Sequence, residues 1–210
     1  MNNRSTLYLV TGVLTAIVLG ISFIAWLQGL RGEMDKYTLF PLLGLLAFCL
    51  MWIHYVSGSL KRYLGLASDK KLLSRYFKIT SIVVLALILL HPGLLYTGLF
   101  QDGYGLPPLS AWEAYSTTAA RAGLLLGSVS LTAFLLFELG RWFRQKNWWK
   151  YIEYASVAAM ILIFVHALIL GGELLPGWFR FVWILIGWVL VMSIVYNYWY
   201  DRKREVKGEL

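Results

Sequence analysis

The sequence predicts an all-α integral membrane protein, a bundle of six transmembrane helices with both termini in the cytoplasm. Three observations lead there: an apolar excess, six separate apolar stretches, and connections that alternate in charge. Of the 210 residues, 59% are hydrophobic, 16% aromatic and 14% charged. Soluble domains carry about 25% charged residues, and a water-soluble fold of this size could not hide so much apolar surface. The net charge of +8 does not indicate nucleic acid, because Lys and Arg cluster in the short segments between apolar stretches, where they encode topology.

A spanning helix needs about 20 mostly apolar residues. Six stretches qualify, over 6–29, 38–60, 77–100, 113–138, 150–172 and 178–200. The first is read as a retained helix: Leu7 to Leu27 is too long for the apolar region of a signal peptide, and no A-x-A cleavage site follows. The second closes on Lys61 and Arg62. The third ends before Gln101 and Asp102. Gly103, Gly105, Pro107 and Pro108 then form a turn-rich loop before the fourth. Aromatic residues gather near span ends (Trp112, Tyr115, Trp148, Trp149, Trp178, Tyr196, Trp199, Tyr200), as an interfacial belt requires. No linker, repeat or low-complexity tract divides the chain, so residues 1–210 form one domain.

Orientation follows from the connections. Lys61, Arg62, Lys70, Lys71, Arg75 and Lys78 follow the second span. Arg141, Arg144, Lys146 and Lys150 join the fourth to the fifth, and Arg202, Lys203, Arg204 and Lys207 lie in the tail. The other side is poor in basic residues: Gln101 to Trp112 carries only Asp102, Gly171 to Trp178 only Glu173, and the first connection balances Arg31 and Lys36 against Glu33 and Asp35. The positive-inside rule then places both termini in the cytoplasm. The single cysteine, Cys49, lies in an apolar run and reads as a small buried hydrophobe.

All three histidines, His54, His91 and His166, fall inside spans, where ionisable groups are costly and mark function. At about 1.5 Å per residue, His91 lies roughly 13 Å and His166 roughly 9 Å below the outer boundary. Two imidazoles at one level on different helices suit a haem iron ligated from both faces; the plainer reading is an interhelical hydrogen bond from each. Arg121, counted from Glu113, lies roughly 12 Å into its span. It needs an anionic partner, either a haem propionate or Glu113 or Asp102 reached by snorkelling. His54 is roughly 9 Å from the cytoplasmic end; a quinone, a haem edge or, the simplest, a backbone carbonyl would satisfy it.

At these residues the chain resembles the ferric-reductase-like transmembrane domain family, which includes the haem subunit of the bacterial methionine sulfoxide reductase system. The resemblance covers roughly residues 40–172. It rests on Leu60-Lys-Arg-Tyr-Leu-Gly65, Leu89-Leu-His91, Ala122-Gly-Leu-Leu-Leu126, Trp149-Lys-Tyr-Ile-Glu153 and Phe164-Val-His166-Ala-Leu. It implies a b-type haem bundle passing electrons across or within the membrane. Two-haem members carry further histidines where this chain has Phe77 or Lys78 in the third span and Glu153 in the fifth, so the resemblance implies one haem, with Lys78 and Glu153 free to pair. No G-x-G-x-x-G fingerprint follows a strand, and the chain ends at Leu210 without room for a flavin or nicotinamide domain. The expectation is therefore one outer haem b on His91 and His166 with Arg121 nearby and His54 as a secondary candidate. Electrons come from a quinol or a redox partner protein, in a prokaryotic plasma membrane. A small non-redox transporter, or a structural subunit of a membrane complex, is the rival.

Overall fold

The computed structural model describes residues 2–30, 34–69, 71–138, 140, 145–175 and 177–207. Among them the chain forms seven α-helices and no strand: α1 Asn3–Gly29, α2 Leu39–Tyr63, α3 Ser74–Gln101, α4 Leu109–Ala114, α5 Thr118–Glu138, α6 Trp149–Leu170 and α7 Trp178–Val206. A 3-10 turn, Gly172–Leu174, joins α6 to α7. All except α4 are long and apolar enough to cross a bilayer, so six candidate spans stand as expected. In hydrocarbon no water serves the peptide groups, and continuous helices pair them internally. Of the charged residues used for orientation, Arg31, Glu33, Lys70, Arg141 and Arg144 lie outside the described residues.

The fourth expected span, 113–138, is corrected to Thr118–Glu138, with α4 a separate short helix before it. The Thr117 hydroxyl accepts the Ala120 amide at 3.2 Å, capping a new helix after the bend at Tyr115 and Ser116.

Helix α2 is the axis of the bundle, flanked by α1, α3 and α7, while α5 and α6 pack chiefly on each other. Association in lipid relies on close van der Waals fit and on polar contacts between helices. Both are present. Trp183, Ile53, Met160 and Leu190 are completely buried, Phe164 stacks on Trp183 with 5° between the ring planes, and Trp52 donates to the Ile186 carbonyl at 2.9 Å. Thr11 meets Ser57 at 3.2 Å between α1 and α2, and Ser22 meets the buried Cys49 at 3.2 Å. Arg62 pairs with Asp201 at 2.8 Å between α2 and α7. By contrast, α3 makes almost no approach to α5 or α6. A gap runs between the two helix groups.

Lys78 and Glu153, which the resemblance leaves free to pair, do not pair. Glu153 accepts the Trp149 indole N–H at 2.9 Å, one turn back on its own helix, while Lys78 is exposed on α3. The separation of α3 from α6 removes the geometry such a pair would need.

On the loop side, Asp102 at the end of α3 accepts hydrogen bonds from the Lys36 ammonium and the Tyr37 hydroxyl, clasping α3 to the start of α2. These donors hold the Asp102 carboxyl below its ordinary value, and the bond to Asp102 pushes Tyr37 from 10.0 up to about 12. A raised tyrosine value stabilises the fold below pH 10.0 and is lost as the pH climbs to about 12. The tyrosinate absorbance lost on Tyr37→Phe should therefore titrate near 12 in the native protein. A midpoint near 10.0 would mean that the clasp is open in solution.

Candidate functional site

His91 and His166 meet, as their matched depth predicts. Their ring centres are 6.5 Å apart, with planes 83° to one another, although α3 and α6 scarcely approach as helices. The His91 Nδ1 lies 2.6 Å from the Phe40 carbonyl, and the His166 Nδ1 lies 2.8 Å from the Gly123 carbonyl. Since a carbonyl only accepts, each Nδ1 carries the proton and each Nε2 keeps its lone pair. This is the arrangement that orients an imidazole toward a metal.

The two contacts are built alike. His91 bonds Phe40 of α2, and Gly44 lies four residues on; His166 bonds Gly123 of α5, and Gly127 lies four residues on. A Cβ at Gly44 would stand 2.9 Å from the His91 ring, and one at Gly127 would stand 2.7 Å from the His166 ring. Each imidazole thus lies across the turn between a carbonyl and the glycine one turn later, a place no larger residue leaves open. The α2–α3 and α5–α6 pairs each present one histidine to the gap in the same way.

That gap is a cavity of about 370 Å³, within the range of small-ligand sites. Both histidines line it, with Phe40, Gly44, Phe48 and Leu95 on one side and Gly127 and Leu131 on the other. Pro92, next to His91 and also in the wall, interrupts α3. It has no N–H to offer the Ile88 carbonyl. Glu173 reaches the wall from the 3-10 turn. One of its carboxyl oxygens is buried with no hydrogen-bond partner, and burial pushes the group above its ordinary value.

Arg121 is not at the expected depth. Because α5 begins at Thr118, it lies in the first turn, roughly 5 Å from the helix start. Its Nε donates to the carbonyls of Trp112 and Tyr115, both at 3.2 Å, and its guanidinium lies 4.9 Å from the centre of the Trp112 ring. Neither Glu113 nor Asp102 pairs with it; Asp102 is engaged by Lys36 and Tyr37.

His54 bonds neither a backbone carbonyl nor the histidine pair. Its Nε2 lies 2.6 Å from the Thr80 hydroxyl. Thr80 donates its one proton to the Tyr76 carbonyl at 2.8 Å, so the imidazole is the donor and its Nδ1 is left as an acceptor.

Sequence reading missed Gly44, Gly127 and Glu173. A glycine inside a helical run is a weak signal of close approach; at the histidine level α2 carries Gly44 and α5 carries Gly123 and Gly127. Nothing local marks Glu173. No group of three or more His, Cys, Asp or Glu side chains is gathered for a bare metal ion among the described residues. Compared with known proteins, the chain matches no family model, no curated protein and no solved structure.

Proposed function

We propose that the protein is a b-type haem electron carrier of the ferric-reductase-like kind, with one haem held between His91 and His166 in the outer half of the membrane. The observation that carries this reading is the doubled arrangement of the histidines. Two helix pairs each fix one imidazole by Nδ1, each keeps an Nε2 lone pair for a metal, and both rings border one apolar cavity. Two imidazoles bound to one metal from opposite sides, at about 2 Å per metal–nitrogen bond, have ring centres roughly 6 Å apart. The observed 6.5 Å fits. A haem needs only two protein ligands, since its own nitrogens supply the rest, so a pair suffices where a bare ion would want more.

Haem, when bound, supplies reversible one-electron chemistry. His91 and His166 would hold the iron through Nε2, and Gly44 and Gly127 leave room for their rings. Glu173 is in the cavity wall, where a propionate would need a donor, whereas Arg121 is held by the Trp112 and Tyr115 carbonyls. Electrons arrive from a membrane quinol or a partner protein and leave toward the outer face. Purified protein expressed with ample haem should show a Soret band and a sharp reduced α band. Colourless protein would instead favour a transporter or a structural subunit.

We place both termini in the cytoplasm of a prokaryotic plasma membrane. The basic residues Lys61, Arg62, Lys71, Lys203 and Arg204 all lie at one set of helix ends, the side that positive charge keeps inside. Cytoplasmic reporters fused after Lys146 or Leu210 should be active and those after Gly103 silent. Activity after Gly103 would invert this orientation.

A further inference from the structure

Four tryptophans are buried among the described residues, and three of them give their indole N–H to an acceptor. Trp26 donates to the Thr38 carbonyl at 2.8 Å, Trp52 to the Ile186 carbonyl at 2.9 Å and Trp149 to the Glu153 carboxylate at 2.9 Å. Trp183 is the exception. It is completely buried, and its Nε1–H meets no acceptor among the described residues. Phe48 and Phe164 pack on its ring with 4.6 and 6.1 Å between centres, so the indole cannot turn in search of one. A buried donor left unpaired is costly, and hydrocarbon has no acceptor to offer it.

Trp183 lies five residues into α7, roughly 8 Å from the outer end of that helix. It forms part of the wall of the cavity that His91 and His166 border. The same wall holds a second orphan: Glu173, in the turn that leads into α7, has one carboxyl oxygen buried without a partner. An N–H and a carboxyl oxygen, both unpaired, thus border one cavity from the α7 side.

Charge limits what could satisfy both. Glu173 is the one acidic residue in this wall, and no Lys or Arg lines it; the nearby Arg180 donates to the Leu174 carbonyl at 2.9 Å. An anion would find no cation there, and a hard cation would want more carboxylates. A small neutral molecule that both accepts and donates fits, and that molecule is water. The cavity of about 370 Å³ far exceeds the share of about 30 Å³ that one water needs.

We propose that the α7 side of this cavity is a water site, with Glu173 admitting water from the outer face and the Trp183 N–H anchoring the innermost molecule. The histidine level is then open to solvent, and to proton exchange, from the outer side. This goes beyond the electron-carrier reading and does not rest on it.

Radiolytic hydroxyl labelling of the full-length protein in lipid nanodiscs tests the site, because radicals formed from bound water oxidise the side chain beside it. Trp183 should be oxidised despite its burial, as the exposed Trp178 is. Trp52, similarly enclosed but with its N–H on a carbonyl, should stay at background. Glu173→Leu should lower Trp183 labelling severalfold with Trp52 still silent, and Glu173→Gln, which can still hydrogen-bond water, should keep it. Trp183 as silent as Trp52 in the unaltered protein overturns the proposal without any variant and leaves the N–H resting on a ring face. Trp183 labelling that ignores Glu173→Leu overturns it too, since water would then enter elsewhere. The Soret band is a separate readout: a colourless chain labelled at Trp183 keeps this inference and sinks only the electron-carrier reading.

Discussion

Replacing either His91 or His166 by alanine is expected to abolish stable haem binding, leaving less than about a tenth of the Soret absorbance per mole of protein. In the proposed site each residue would supply one nitrogen to the iron, and neither has a substitute: among the described residues the only other histidine, His54, is engaged with Thr80. His54→Ala should therefore keep most of the absorbance. Gly127→Ala separates ligand loss from general damage. It retains both imidazoles but sets a methyl group 2.7 Å from the His166 ring, which pushes the ring off the Gly123 carbonyl. Loss of such an orienting bond lowers metal affinity about 10–100-fold, so haem should be retained weakly rather than not at all. If His54→Ala alone bleaches the protein, the ligand pair is wrongly chosen.

A pyridine haemochrome assay is expected to return one haem per chain. Two haems, each with two histidine ligands, would need four histidines, and the chain has three. A second cavity, of about 270 Å³, lies on the Arg62 side of the histidine pair, and His54 is the one histidine in its wall. Phe77 packs against the His54 ring with 4.8 Å between centres, and Glu153 is held by Trp149; neither presents a nitrogen to an inner iron. Met51 and Tyr55 also line this cavity, but they share the helix of His54 and stand on its side of any ligand between the helices. Met160, on α6, also borders the cavity. Its thioether is the remaining candidate for a mixed ligand set, so a ratio near two would point to His54 with Met160.

The six spans were legible in the sequence because lipid imposes a one-dimensional rule: each crossing needs a long apolar run whose peptide groups bond along the helix. The common level of His91 and His166 was legible for the same reason, since depth along a helix is a count of residues. What a count cannot supply is the neighbour across the gap. The bend at Tyr115 and Ser116 is too short to change the hydropathy of a long window, so a count from Glu113 sets Arg121 too deep. His54 found the Thr80 hydroxyl rather than a carbonyl because α3 happens to present that residue to α2. The docking of each imidazole between a carbonyl and the glycine one turn later depends on which helix lies beside which. Apolarity drives a helix into the bilayer without choosing its partner there; that choice is made by close packing and by a few polar contacts between helices, which exist only once the bundle has formed.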